Sequence, residues 1–311
     1  MAFQLKANES VSEGITRNVT HQIEKALKHL GTGAESGGNS QTEALGEVRK
    51  CFKRIRGALR LVRAELGDDR YHEENYCFRD AARPLTQVRD AGILLETVDE
   101  LRRQFPKAIA ATTLSRIRRG LLANLDEVSR RVLERDKAFD QVRVVATRAL
   151  ARISDWRLEG SRWSALGAGL RRVYRAGHRA FASAAQNPSV ANLHEWRKQT
   201  KYLWHQLQLM EPTLTGAEKG LIDETHKLST LLGKDHDLAV LRATLAADPM
   251  TYGGHRPLKA LFVLIDRRRA DLEQQAFALG REIFKDSPKV FTSRVAASTG
   301  HEPSHEECHP I

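Results

Sequence analysis

One segment of the chain occurs twice, and this repeat limits the fold more than any other feature. GEVRKCFKRIRGALRLV (46–62) aligns with HEWRKQTKYLWHQLQLM (194–210) at an offset of 148 residues. Glu47 falls on Glu195, Arg49 on Arg197, Lys50 on Lys198, Lys53 on Lys201, Leu59 on Leu207 and Leu61 on Leu209. At an offset of 147, VRDAGILLETV (88–98) matches DHDLAVLRATL (235–245), and GITRNV (14–19) resembles GLRRVY (169–174). Similarity that restarts in this way means one supersecondary unit used twice.

Each unit reads as helices. The first copy predicts a helix from a Ser cap to Gly31, a loop over GTGAESGGNS, and a helix over about Thr42–Leu66. A third helix covers the region of Arg79 and stops before Pro84, and a fourth runs to Phe105. A long helical stretch then spans about 107–157, with a break near Lys137. The second copy predicts helices over 164–186, 190–210, 217–232, about 236–246 and about 257–284. Ser caps, Gly stops and Pro breaks set these limits. No stretch alternates with period two for long enough to argue a sheet. The expected fold is all-α: two antiparallel four-helix bundles related by a pseudo-two-fold axis, around a basic central groove or pore. The first repeat is placed at about 8–157, the second at about 161–297, and residues 298–311 as a disordered tail.

Charge narrows the partners. The 311 residues carry 50 Lys and Arg against 39 Asp and Glu, a formal charge of +11. Such a chain favours nucleic acid, an acidic membrane surface or a phosphate polymer. Three cysteines with no C-x-x-C spacing fit a reducing compartment, and Cys51 and Cys77 read as core residues. MAFQLKANES has no apolar core and no uninterrupted apolar run approaches membrane-spanning length, so a cytoplasmic protein is expected.

The positive charge is ordered. On a helical wheel His194, Arg197, Lys198, Lys201 and His205 share one arc without a carboxylate. In the first copy Val48, Phe52, Ile55, Leu59 and Val62 form an apolar stripe. Arg49, Lys53, Arg56, Arg60 and Arg63 run beside it, one residue ahead, with Glu47 the single acid over 46–63. Arg171, Arg172, Arg175, His178 and Arg179 make a third acid-free set. Like charges three or four residues apart repel, so solvated faces normally mix signs. Guanidinium forks bind phosphate oxygens in pairs, and Lys acts as a mobile point charge. Stripes brought together would focus their field on a linear polyanion, whose own charge would supply the missing counter-charge.

Several segments resemble the CHAD family, the conserved histidine α-helical domain. NLHEWRKQTKYLWHQLQLM, LSTLLGKDHDLAVLRATL, GLRRVYRAGHRAF and REIFKDSPKVFTSRV carry the resemblance, with EALGEVRKCFKRIRGALRLV and LTQVRDAGILLETV as first-copy counterparts. It spans about 8–297 and implies two pseudo-symmetric four-helix bundles, a basic centre that binds inorganic polyphosphate, association with polyphosphate granules, and no catalysis or cofactor. The implied polyphosphate-binding residues are Arg17, Arg49, Lys50, Lys53, Arg56, Arg60, Arg89, Arg171, Arg172, Arg175, Arg179, His194, Arg197, Lys198, Lys201 and His236. The chain departs from the family at Gly46, where a histidine equivalent to His194 is expected. No triphosphate-tunnel domain, which often precedes the family's helical domain, is expected in this chain.

Two other classes compete. DHD (235–237) suggests a helical His-Asp metal phosphohydrolase, with His178, His194 and His226 as recruitable ligands. The repeat opposes it: His236-Asp237 falls on Arg89-Asp90, and Arg cannot ligate a metal although both Arg and His contact phosphate. The aspartate is read as a helix cap or an orienting group. Nucleic acid is the third class, but no zinc finger, basic zipper or clear helix-turn-helix signature occurs, and aromatics are too sparse for stacking platforms. Trp196 reads as core, and Trp204 as cover for the stripe's edge. His301, His305, Cys308 and His309 could clamp a metal, but Pro303 and Pro310 favour a disordered tail.

Overall fold

The computed structural model describes residues 2–6, 8–35, 38–106, 108–160 and 162–300. Among them regular structure is all helical. The first half comprises α1 (Val11–Glu35), α2 (Gly38–Leu61), the short α3 (Arg63–Leu66), α4 (Asp68–Gln104), α5 (Ala111–Ser129) and α6 (Ala138–Ile153). The second comprises α7 (Arg162–Gln186), α8 (Val190–Met210), α9 (Gly216–Ala247), α10 (His255–Ile283) and α11 (Pro288–Ser298). In the first half α1 packs on α2, α2 on α4, α4 on α5, and α6 returns to α1. In the second, α7 packs on α8, α8 on α9, α9 on α10, and α11 returns to α7. The same packing order therefore recurs.

Helix ends differ from expectation where packing overrides local signals. GTGAESGGNS is largely helical: α1 continues to Glu35 and α2 begins at Gly38. Gly33 does not stop the helix but admits a neighbour, since a Cβ there would lie 2.9 Å from the Ala44 Cβ. Pro84 lies inside α4 instead of ending a helix. Its missing N–H costs one ladder bond, but Ala81, Leu85 and Val88 are buried on either side and hold the helix in register. The helices expected over 217–232 and 236–246 are one, α9, with Leu228, Leu232, Asp235 and Leu238 buried along a continuous face. The break near Lys137 is present: a π-helical turn over 130–135 precedes Lys137, which takes left-handed dihedrals (φ 48°, ψ 44°) before α6. A further helix, α11, closes the second half, capped by the Ser287 hydroxyl accepting from the Val290 N–H at 3.3 Å. Residues 301–311, with the histidines and cysteine read as a tail, lie outside the described residues.

The apolar stripe of α2 is core, with Val48, Phe52, Ile55, Leu59 and Val62 all at most 1% exposed. The two apolar cores do not divide along the repeat boundary. One joins α1, α2 and α6 to α7, α8 and α11. The other joins the C-terminal parts of α4 and α9 to α5 and α10. Burial of this kind contributes roughly 25 cal/mol per Å² of apolar surface, so each half is stabilised by the other.

Between the halves, α2 crosses α8 and α4 meets α9. The crossing is close at Gly57, where a Cβ would stand 2.9 Å from the His205 Cβ. Gly57 and His205 are repeat equivalents, offset by 148, so α2 meets its own counterpart there. Gly57→Ala should force the helices apart and, as an overpacked contact costs about 1–3 kcal/mol, lower Tm by several degrees in a thermal melt. An unchanged Tm would mean that the crossing is not tight.

Candidate anion-binding cleft

The crossing of α2 and α8 fixes what lies beyond it. Two cavities, of about 610 Å³ and about 330 Å³, open along α2, α4, α8 and α9 and share the side chains of Arg49, Lys53, Arg197 and Lys201. These are two pairs of repeat equivalents, so the stripes of both copies converge on one strip. Arg49 reaches a carboxylate, Asp90, at 3.4 Å, but the Asp90 side chain is 53% exposed and only weakly neutralises it. Arg197 Nε is buried and meets no acceptor among the described residues.

Electrostatics record the crowding. Burial first, then Lys201, Arg49 and Arg197, pull the Lys53 ammonium well below the usual lysine range. Burial and Arg197 bring Lys201 down to about 8. The Asp237 carboxyl, which lines both cavities, is raised by burial despite Arg197 and Arg89 nearby. Asp237 sits inside α9, so of the two roles read for it from the sequence, helix cap or orienting group, the cap is excluded; its neighbour Asp235 pairs with Arg269 at 2.8 Å.

The strip has two mouths. On one side His194 Nδ1 stands 3.4 Å from His236 Nδ1. Burial and the cations Arg197 and Lys198 lower the pKa of His194, and burial with Arg197 takes His236 to about 4, so both imidazoles are neutral at pH 7. On the other side Gly46 and Arg89 occupy the equivalent positions. A Cβ at Gly46 would lie 3.6 Å from Arg89 Nε, ordinary van der Waals contact. Gly46 is interior to α2, not at its start.

Ten of the sixteen candidate residues line these cavities or their extension: Arg49, Lys50, Lys53, Arg56, Arg89, His194, Arg197, Lys198, Lys201 and His236. Several are less bare than the helical wheel implied. Lys198 pairs with Glu195, one turn back and outside the wheel's arc, and its equivalent Lys50 pairs with Glu47 at 2.6 Å. Lys25 also reaches Glu47 at 3.0 Å, and together they hold that carboxyl at about 2. Arg89 pairs with Glu96 at 2.6 Å. Arg56 and Arg60 both donate to Asn75 Oδ1, at 3.1 and 2.9 Å, and Arg60 lies over the Tyr202 ring.

Arg60 and five others are not brought into the cleft. Arg17 donates to Glu9 Oε2 at 2.8 Å and to the Gln4 carbonyl at 2.9 Å. Arg171, Arg172, Arg175 and Arg179 are exposed on α7. Trp196 is fully buried, as expected of core, whereas Trp204 lines the larger cavity with His226 stacked on it, ring centroids 4.3 Å apart. That pair was not foreseen, since only the packing of α8 on α9 brings the two rings together.

Among the described residues no group of three or more His, Cys, Asp or Glu side chains is placed to hold a metal ion. No described helix is long and apolar enough to cross a membrane.

Fold and cleft together define an all-helical protein with a cationic centre, and comparison gives the family. The CHAD domain model matches residues 20–246. The chain therefore belongs to the CHAD family. A crystal structure of the CHAD domain from the plant Ricinus communis superposes with a TM-score of 0.56 at 19% identity, covering 97% of this chain and 96% of that one. No curated protein matches the sequence.

The crowding has a thermal consequence. Because the folded pKa of Lys201 is below its unfolded value, the charged form is penalised in the fold. The penalty is complete below about pH 8 and is relieved as pH rises toward the unfolded value of 10.5. Lys201→Met should raise Tm of the free protein at pH 7 by at least about 2 °C, and the gain should shrink as pH rises above about 8 and vanish near 10.5. A lower Tm at pH 7 would show that the ammonium is stabilising.

Proposed function

We propose that the chain binds inorganic polyphosphate in this cleft, with the two repeats related by a pseudo-two-fold axis through the α2–α8 crossing. One observation carries the reading: Arg49, Lys53, Arg197 and Lys201, two pairs of repeat equivalents, converge on one strip whose carboxylates do not neutralise it. A folded protein keeps four such groups together at a cost in stability, and a bound polyanion reverses that cost. Guanidiniums supply paired donors to phosphate oxygens, lysines supply point charge, and neither needs a particular base or side chain on the ligand. The neutral His194–His236 pair is poised to donate or take up a proton as an anion arrives, since an adjacent anion favours the imidazolium. The implied setting is a cytoplasmic protein associated with polyphosphate granules. Family membership is compatible with this ligand.

The reading is binding without turnover. His236 has Arg89 as its counterpart, and a site repeated with Arg in place of His is suited to holding phosphate, not to holding a metal ion. Polyphosphate incubated with the protein and Mg²⁺, Mn²⁺ or Zn²⁺ should keep its chain length on a gel. Shortening that disappears in Asp237→Asn, with the fold intact, would favour the His-Asp hydrolase instead.

The binding test is a titration of polyphosphate at several salt concentrations. Arg197→Ala/Lys198→Ala/Lys201→Ala should weaken affinity at least tenfold and flatten the salt dependence, because each lost cation releases fewer counterions. Helicity should be unchanged, since none of the three packs in the core. Equal affinity of wild type and triple variant at physiological salt would overturn the assignment.

A further inference from the structure

The two mouths of the cleft are built from equivalent helix positions but end in different chemistry. At one, Trp204 and His226 stack at an interplanar angle of 13° beside the cationic strip. Trp204 is offset by 148 from Arg56, and His226 by 147 from Arg79. Arg56 and Arg79 line a third cavity, of about 350 Å³, between α2 and α4, which shares Arg49 and Lys53 with the strip. At these two positions one mouth carries stacked rings where the other carries Arg56 and an Arg79 paired with Asp80 at 2.9 Å. Both mouths are otherwise cationic, with Lys50, Arg54, Arg89 and Lys234 on the ring-bearing side and Lys198 on the other.

Gly46 belongs to the aromatic mouth. It lines the same cavity as Trp204 and His226, and it leaves empty the volume that its equivalent His194 fills at the other mouth. The larger cavity thus coincides with the half-buried Trp204 and the exposed His226 stacked on it. Thr230 lines the same wall, its hydroxyl donating to the His226 carbonyl at 3.0 Å, which ties the ring-bearing turn of α9 to the next. A uniform phosphate polymer has no use for such polarity, because every unit along it is alike. A phosphate chain that ends in a planar heterocycle does.

We propose that this mouth binds a nucleoside polyphosphate, with the base against the Trp204–His226 wall and the phosphates on Arg49, Lys53, Arg197 and Lys201. The inference rests on the phosphate-binding reading of the strip. Base–aromatic stacking tolerates any base, since every base has a π-face. A cavity of about 610 Å³ is of the size that holds ligands of this class. The larger mouth selects for the base, and the strip supplies affinity for the phosphates.

The probes are ATP and inorganic tripolyphosphate, titrated by calorimetry in metal-free buffer at equal ionic strength. They share a three-phosphate chain and differ in the nucleoside. Wild type should bind ATP at least about fivefold more tightly than tripolyphosphate, the lower end of what one stacked base contributes. Trp204→Leu should abolish that preference and leave tripolyphosphate affinity unchanged, while Trp204→Phe should keep it. Gly46→His, which fills the mouth at a position with room for a Cβ, should reduce the ATP preference without loss of tripolyphosphate binding. Equal binding of the two anions by wild type, or a preference that survives Trp204→Leu, overturns the nucleotide site and leaves polyphosphate binding standing. If neither anion nor long polyphosphate binds, the strip itself is misassigned and both readings fall.

Discussion

Mutual repulsion among Arg49, Lys53, Arg197 and Lys201 is the constraint around which this molecule is arranged. Four cations on two crossing helices push those helices apart, and burial strengthens the push because little solvent separates the charges. The opposing force is apolar and lies on either side of the strip. One core ties α1, α2 and α6 to α7, α8 and α11, and the other ties α4 and α5 to α9 and α10. Neither core belongs to one repeat, so the halves cannot relax away from each other without exposing both. Gly57 against His205 brings α2 and α8 into direct contact next to the charged pairs.

Much of this was legible in the sequence, and the part that was not has identifiable causes. The repeat was visible because Glu47, Arg49, Lys50 and Lys53 recur with type and spacing intact at 195, 197, 198 and 201. Charge periodicity then placed both stripes, and the structure brings them together. Helix ends were less legible. Gly31, Gly33 and Pro84 are local break signals that lie inside helices here: buried Ala81, Leu85 and Val88 keep the chain in register past Pro84, and Gly33 packs against Ala44 two residues before α1 ends. The basic faces were overstated for a different reason. A wheel arc omits neighbours just outside it, and Glu195 and Glu47 reach Lys198 and Lys50 from there.

The aromatic pair was illegible for a topological reason. Trp204 and His226 are 22 residues apart, on different helices, and no helical period relates them. Each is unremarkable alone: one reads as edge cover, the other as a spare histidine. Only the antiparallel packing of α8 on α9 stacks them at the cleft. The repeat could have pointed to them by contrast, since the counterparts Arg56 and Arg79 keep the cationic character of the site.

That contrast separates what a duplicated helical unit keeps from what it varies. Positions that stay alike in both copies, such as Arg49/Arg197 and Lys53/Lys201, can only act symmetrically, and a symmetric site reads charge and little else. Any preference for one end of a ligand has to come from positions where the copies differ. Here the differences fall in pairs on opposite mouths: Gly46 against His194, Arg89 against His236, Trp204 against Arg56, and His226 against Arg79. The mouth with His194 and His236 opens on the smaller cavity, with neutral imidazoles beside Arg56 and Lys198. The mouth with Gly46 and Trp204 opens on the larger of the two cavities and sets the stacked rings beside Lys50, Arg54, Arg89 and Lys234. A symmetric strip between unlike mouths has a direction only through the side chains at which the two copies differ, and those are the positions that the repeat leaves free to vary.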